Sequence, residues 1–294
     1  MALLGHERYC DELVAQAGML AGLLSGADLA VPVPTCPDWR LGDLVGHVGG
    51  NLRVIEAAVR TGQPVDDVSA PTGEAADVTG GTDRFTGEAG GFTAGGAISG
   101  APGATGEAVT RSAHEAAAWL AESAAQCASV LRATGPDEQA YVWGFTARTD
   151  YLARRATHDL VVHRADTAIT VGADFSVAPE VAVDAIDELL EMLGDPGVIG
   201  ANPRMAELRG GPDSSIHLHG TDDSPDLFPE WLIELYSKGF SWRRSHTTAS
   251  VTLRGPLSYL LLVCYRRMPP TDSRVEVLGD SALLDFWLDR ASLT

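Results

Sequence analysis

The chain reads as an α+β protein, with a four-helix bundle over residues 1–172 and a small mixed α/β domain over 173–294. Three observations predict this. Apolar residues recur at helical spacing through four long stretches of the first part. Strand-like alternation begins only after Gly172. The length, 294 residues, suits two domains at ~100–200 residues each.

The first helix runs from about His6 to Ser25, where Leu13, Ala17, Leu20 and Leu24 form one apolar stripe. The segment VPVPTCPDW ends it, because its three prolines forbid helical continuation and hold the chain extended as a crossover. A second helix starts near Leu41 and carries Leu44, His47, Val48, Leu52, Ile55 and Ala58 on or near one stripe, so His47 faces inward. From about Thr61 to Gly106 the chain is rich in Gly-Gly pairs and poor in large apolar groups, which predicts a long irregular insertion unable to offset its ordering entropy. The third helix spans about Glu107 to Thr134, and the fourth about Thr149 to Ile169.

Past the polar connection TVGADFSVAPE, the segment PEVAVDAIDELLEMLG predicts a helix. Strands are expected at SIHLHG, WLIELYSKGFSWRRS, ASVTLRG and VEVLG, and helices at PLSYLLLVCYRR and SALLDFWLDRAS.

Forty Asp and Glu against 21 Lys and Arg give a formal charge of -19, which repels phosphate backbones and anionic membrane surfaces. Nucleic acid and membrane are therefore not expected partners, and the longest apolar run, LSYLLLVCY, is far short of the ~20 residues a span needs. Cys10, Cys36, Cys127 and Cys264 stand singly, as in a reducing cytoplasm, and MALLGHERYCDE lacks the basic start of a signal peptide. The chain is expected as a monomer or a homodimer.

Two polar islands interrupt the apolar helices: His47 in DLVGHVGG, and Asp159 with His163 in ATHDLVVHRAD. Each helical residue advances ~100°, so Asp159 and His163 lie ~40° apart on adjacent turns, whereas His158 points ~140° from His163. With His47 from a facing helix, the set offers two imidazoles and one carboxylate. That set suits zinc or a similar divalent ion and leaves a coordination position open. Spacing alone is also compatible with hydrogen-bonded core histidines and an Asp159 paired with Arg155 or Arg164. Cys36, flanked by prolines and without a triad-like His, is expected to be an inert packing thiol. His217 and His219 share one strand face, but the sequence shows no second pair to accompany them, so they read as strand polar residues. The glycines lack the strand and helix flanks of a phosphate loop.

The run VPTCPDWRLGDLVGHVGGNLRVIEAAV resembles the opening signature of the actinobacterial mycothiol-dependent maleylpyruvate isomerase family, a branch of the DinB-like metal-binding bundles. YLARRATHDLVVHRAD resembles its second signature, and HLHGTD, Glu230-Trp231 and VTLRGP resemble its smaller, sterol-carrier-like C-terminal domain. The resemblance implies a divalent ion, usually zinc, held by His47, Asp159 and His163, with mycothiol as thiol co-substrate. The family normally has Glu at the acidic position, and Asp159 is one methylene shorter. The family's functional arginine falls on Arg267, with Arg266 as alternate, and would hold a dicarboxylate substrate; Arg254 in LRGP is a separate surface or pocket candidate.

The leading expectation is a metal-dependent mycothiol S-transferase acting on a small-molecule electrophile, with specialised metabolism as its setting because of the long insertion. A maleylpyruvate-type cis–trans isomerase is the alternative within the fold. A non-catalytic small-molecule binding protein is the alternative from another class.

Overall fold

In the computed structural model, residues 4–63, 112–195, 203–208, 214–222, 225–237 and 239–291 are described. The glycine-rich insertion expected over 61–106 lies almost wholly outside them, as does the first turn expected of the third helix.

The bundle consists of α1 (His6–Leu23), α2 (Leu41–Thr61), α3 (Ala113–Thr134) and α4 (Thr149–Val171). Helix α1 packs on α3 and α4, and α2 packs on the same two. The stripe anticipated for α1 is buried at Leu13, Ala17, Leu20 and Leu24, and it meets Leu44, Val48, Leu52 and Ile55 of α2 in one core. Local signals set the helix starts. Ser112 caps α3 by accepting from Glu115 N–H at 3.3 Å while the Glu115 carboxylate accepts from Ser112 N–H at 2.8 Å. Asp43 does likewise for α2, accepting from Arg40 N–H at 2.9 Å.

The proline-rich crossover is more ordered than an extended connection. It forms a small hairpin, β1 (Pro32–Val33) with β2 (Cys36–Arg40), which runs directly into α2. A second hairpin, β3 (Gln139–Val142) with β4 (Phe145–Arg148), runs into α4 in the same manner. Its two-residue loop is Trp143-Gly144, at φ 54 and 88, the left-handed pair that matches the twist of a tight hairpin. The sequence hides this hairpin because Trp normally avoids positive φ.

Beyond the bundle come α5 (Pro179–Leu193), the short α6 (Pro203–Ala206), β5 (Ser214–Gly220), β6 (Glu230–Tyr236), β7 (Gly239–Arg244), β8 (Val251–Gly255), α7 (Leu257–Cys264), β9 (Glu276–Gly279) and α8 (Ser281–Arg290). The strands form one sheet in the order β7-β6-β5-β8-β9, antiparallel throughout except for the parallel pair β5 and β8. One sheet face, carrying Ile216, Leu218, Trp231, Ile233 and Leu253, packs with α5, α7 and α8 around the buried Trp287.

The two cores divide within α4. Leu152, Ala153, Ala156 and Leu160 belong to the bundle core, whereas Val161, Val162, Ala165 and Ala168 belong to the core of α5 and the sheet. Helix α4 is thus enclosed on all sides, and its charges have partners on α5. Arg154 pairs with Asp184 at 2.9 Å, Arg155 with Glu188, and His158 Nδ1 lies 2.8 Å from Glu188.

Candidate metal centre

Three elements deliver the site. Hairpin β1–β2 presents Trp39, α2 presents His47, and α4 presents Asp159, His163 and Asp166 on successive turns. The structure brings His47, Asp159 and His163 together, with one potential ligand atom of each within 4.8 Å of the others. His163 Nε2 is 3.9 Å from Asp159 Oδ1, and the two imidazoles meet edge to face at 5.2 Å between centroids. Trp39 covers both rings, 4.7 Å from His47 and 6.0 Å from His163. His158 turns to the opposite side of α4, towards Glu188 and Asp184, where those carboxylates raise its pKa against the opposing effect of burial.

Electrostatics set the protonation states of His47 and Asp159. Burial first, and the neighbouring His163 second, push the His47 pKa down to about 4 although Asp159 opposes them, so the ring is neutral at pH 7. Burial would raise the Asp159 pKa, but His163, Arg155 and His47 overcome it and hold the carboxyl ionised. Arg155 Nη2 approaches Asp159 at 3.6 Å, so the ion pair weighed from the sequence exists alongside the cluster.

Sequence reasoning missed two residues. Asn51, one turn beyond His47, places its amide nitrogen 3.1 Å from His47 Nε2 and also hydrogen-bonds Asp159. Its i, i+4 spacing from His47 was the available signal. Asp166 is fully buried, and its Oδ2 lies 2.9 Å from His163 Nδ1. An ionised carboxylate only accepts, so Nδ1 carries the proton and the Nε2 lone pair is left for the site. Thr35 Oγ1 donates to Asp166 at 2.6 Å, and Arg267 donates to it twice, at 2.9 and 3.0 Å. Burial opposes the Asp166 charge, but the hydrogen bonds from His163 and Arg267 hold its pKa well below the ordinary carboxylate range.

The expected cation therefore reaches the site, but through Asp166. Helix α7 ends in a Schellman motif in which Arg267 N–H returns to Leu262 O at 2.7 Å and Arg266 takes a left-handed φ of 62. That turn aims Arg267 inward. Its Nη1 donates to Tyr265 O at 2.8 Å, so every nitrogen of the guanidinium has a protein partner. Arg266 instead faces outward, 3.9 Å from Asp289, and the exposed Arg254 pairs with Glu276 at 3.7 Å. Cys36 is half-buried, with Sγ 3.8 Å from Asp166 and 3.9 Å from Arg267. Burial, then the Asp166 charge, push its thiol up to about 11, which keeps it protonated and poorly nucleophilic.

The family model of the mycothiol maleylpyruvate isomerase N-terminal domain matches residues 10–168, and that of the MDMPI C-terminal domain matches 180–286. The chain belongs to the mycothiol-dependent maleylpyruvate isomerase family. Two solved structures, a mycothiol-dependent maleylpyruvate isomerase and a histidine-to-alanine mutant of it, share the fold. Each aligns with a TM-score of 0.54 at 12% identity over 94% of this chain and 95% of its own. No curated protein matches the chain in sequence. Among the described residues, no helix is long and apolar enough to cross a membrane.

Proposed function

We propose that the chain is a metal-dependent enzyme that uses mycothiol as its thiol at His47, Asp159 and His163, and that its reaction is cis–trans isomerisation of a maleylpyruvate-type substrate. The observation that carries the reading is the convergence of two imidazoles and one carboxylate from α2 and α4, within 4.8 Å, in a chain of this family. The donor set fits zinc or a similar divalent ion: His47 is neutral, Asp159 is ionised, and three protein ligands leave a position for an exogenous group. When bound, the ion would stabilise a coordinated thiol as thiolate at neutral pH, the nucleophile that reversible addition to an activated double bond requires.

The chain's own residues do the rest. Asp166 fixes the tautomer and orientation of His163, Arg267 and Thr35 fix Asp166, and Trp39 shields the two rings from water. For His47 to bind through Nε2, the Asn51 amide must release that atom.

The full chain is tested by metal analysis, by mycothiol dependence, and by an assay with maleylpyruvate. His47→Ala and His163→Ala should each abolish both bound metal and turnover. A reconstituted protein that retains no divalent ion, or whose turnover ignores mycothiol, sinks the reading.

One observation favours S-transfer as a second reading. The Arg267 nitrogens are all engaged within the protein, and Arg155, the other cation touching the cluster among the described residues, is held between Asp159 and Glu188. Thiol bookkeeping separates the two: isomerisation returns mycothiol after each turnover, whereas transfer consumes one equivalent per product.

A further inference from the structure

The strand face turned away from the core carries a second convergence of ligands. Ile216 and Leu218 of β5 point into the core, so His217 and His219 between and beyond them point to the other face. The sequence shows no companions for this pair; the fold supplies them. Glu230 of β6 lies directly opposite His219 in the antiparallel register. The chain leaving β7 is pinned back by Ser245 N–H, which donates to Glu230 O at 3.2 Å and so sets His246 beside the Glu230 side chain.

We propose that His217, His219, Glu230 and His246 form a second divalent-metal site, of the zinc class, closed by four protein ligands and independent of the one between α2 and α4. One potential ligand atom from each of the four lies within 4.8 Å of all the others. Glu230 Oε2 is 2.8 Å from His217 Nε2, 3.1 Å from His219 Nδ1 and 2.6 Å from His246 Nδ1.

As a hydrogen-bond cluster this arrangement is oversubscribed. A single carboxylate oxygen offers about two lone-pair sites, yet three imidazoles address it. With a cation at the centre, the same four side chains present three imidazole nitrogens and one carboxylate oxygen, the borderline set that zinc and its neighbours prefer. The facing groups on β8 are Thr252, opposite His217, and Arg254, opposite His219; the latter is directed to Glu276. No position is left for substrate, so the ion would act structurally, clipping the β7–β8 connection through His246 onto the β5–β6 pair.

The test uses the full chain carrying His47→Ala and His163→Ala, freed of metal and titrated with Zn²⁺ against a chromophoric chelator. That protein is expected to bind one equivalent, to gain thermal stability from it, and to give a tetrahedral absorption spectrum with Co²⁺. Adding His246→Ala or His219→Ala, both on the solvent side of the sheet, should weaken that equivalent by ~100-fold or more and cancel the thermal gain. The proposal is overturned if the double variant takes up no zinc, or if its zinc affinity is unmoved by both further substitutions. Should the double variant not fold, the same single substitutions in the wild-type chain must lower total bound zinc by one equivalent, and unchanged stoichiometry overturns the proposal equally.

Discussion

Asp166 is the residue through which the candidate site is held in shape, since it accepts from His163, Thr35 and Arg267 at once. Asp166→Asn keeps the size of the side chain but removes the charge that fixes the His163 tautomer. It should weaken divalent-metal affinity by ~10–100-fold without removing any ligand, measured by competition with a chelator. Asp159 gives the contrasting case. Asp159→Glu restores the longer carboxylate usual in the family and should retain a full equivalent of metal, whereas Asp159→Asn, isosteric but uncharged, should lose it on metal analysis. The helical period made Asp159 and His163 legible as a pair, because 3.6 residues per turn fix angles along one helix. The same period puts Asp166 one turn past His163, but it could not reveal the arginine 101 residues away, delivered by the end of another helix, that holds Asp166 in place.

Helices carried most of the legible information because their apolar period survives in the sequence. The two hairpins that feed α2 and α4 did not, since one was masked by prolines and the other turns on a left-handed tryptophan. Packing between α2 and α3 was equally hidden. A Cβ at Gly49 would sit 2.2 Å from the Trp119 ring, so the helices touch where the sequence shows only a glycine two residues past His47. Gly49→Ala should cost about 1–3 kcal/mol by overpacking, more than the ~1 kcal/mol gained in helix propensity, with Trp119→Phe recovering part of it in urea denaturation. The seam between α4 and α5 makes a pH prediction. Burial opposes the Asp184 charge, but hydrogen bonding and charge from His158, with Arg154 and Tyr9, hold its pKa at about 2. The folded state therefore binds this proton more weakly than the unfolded chain does, so the stabilisation is complete above about pH 4 and lost as pH falls towards 2. Asp184→Asn should flatten the acid limb of the stability profile in that window. It should also lower stability at pH 7 by about 1–3 kcal/mol, because the buried Arg154 loses one of its two carboxylate partners and keeps only Glu191.

Across the whole molecule, Arg267 links the sheet-bearing part of the chain to the site in the bundle. Arg267 leaves the Schellman turn after α7, crosses to α4 and donates twice to Asp166, which orients His163. The resemblance that singles out this arginine implies a substrate-binding cation, but its contacts describe a positioning residue. The two roles differ in what they leave untouched. A cation that only holds a substrate carboxylate, once removed, raises KM and leaves the metal and the fold alone. A cation that holds Asp166 also leaves a buried carboxylate uncompensated and the His163 ring less constrained. Arg267→Ala should therefore weaken metal binding by ~10-fold or more in the absence of any substrate, and lower kcat as well as raising KM. Arg267→Lys should recover charge but not the paired donors, and so rescue stability better than metal affinity. Unchanged metal affinity in Arg267→Ala, with the whole defect in KM, would return this residue to substrate binding and with it the case for a dicarboxylate substrate.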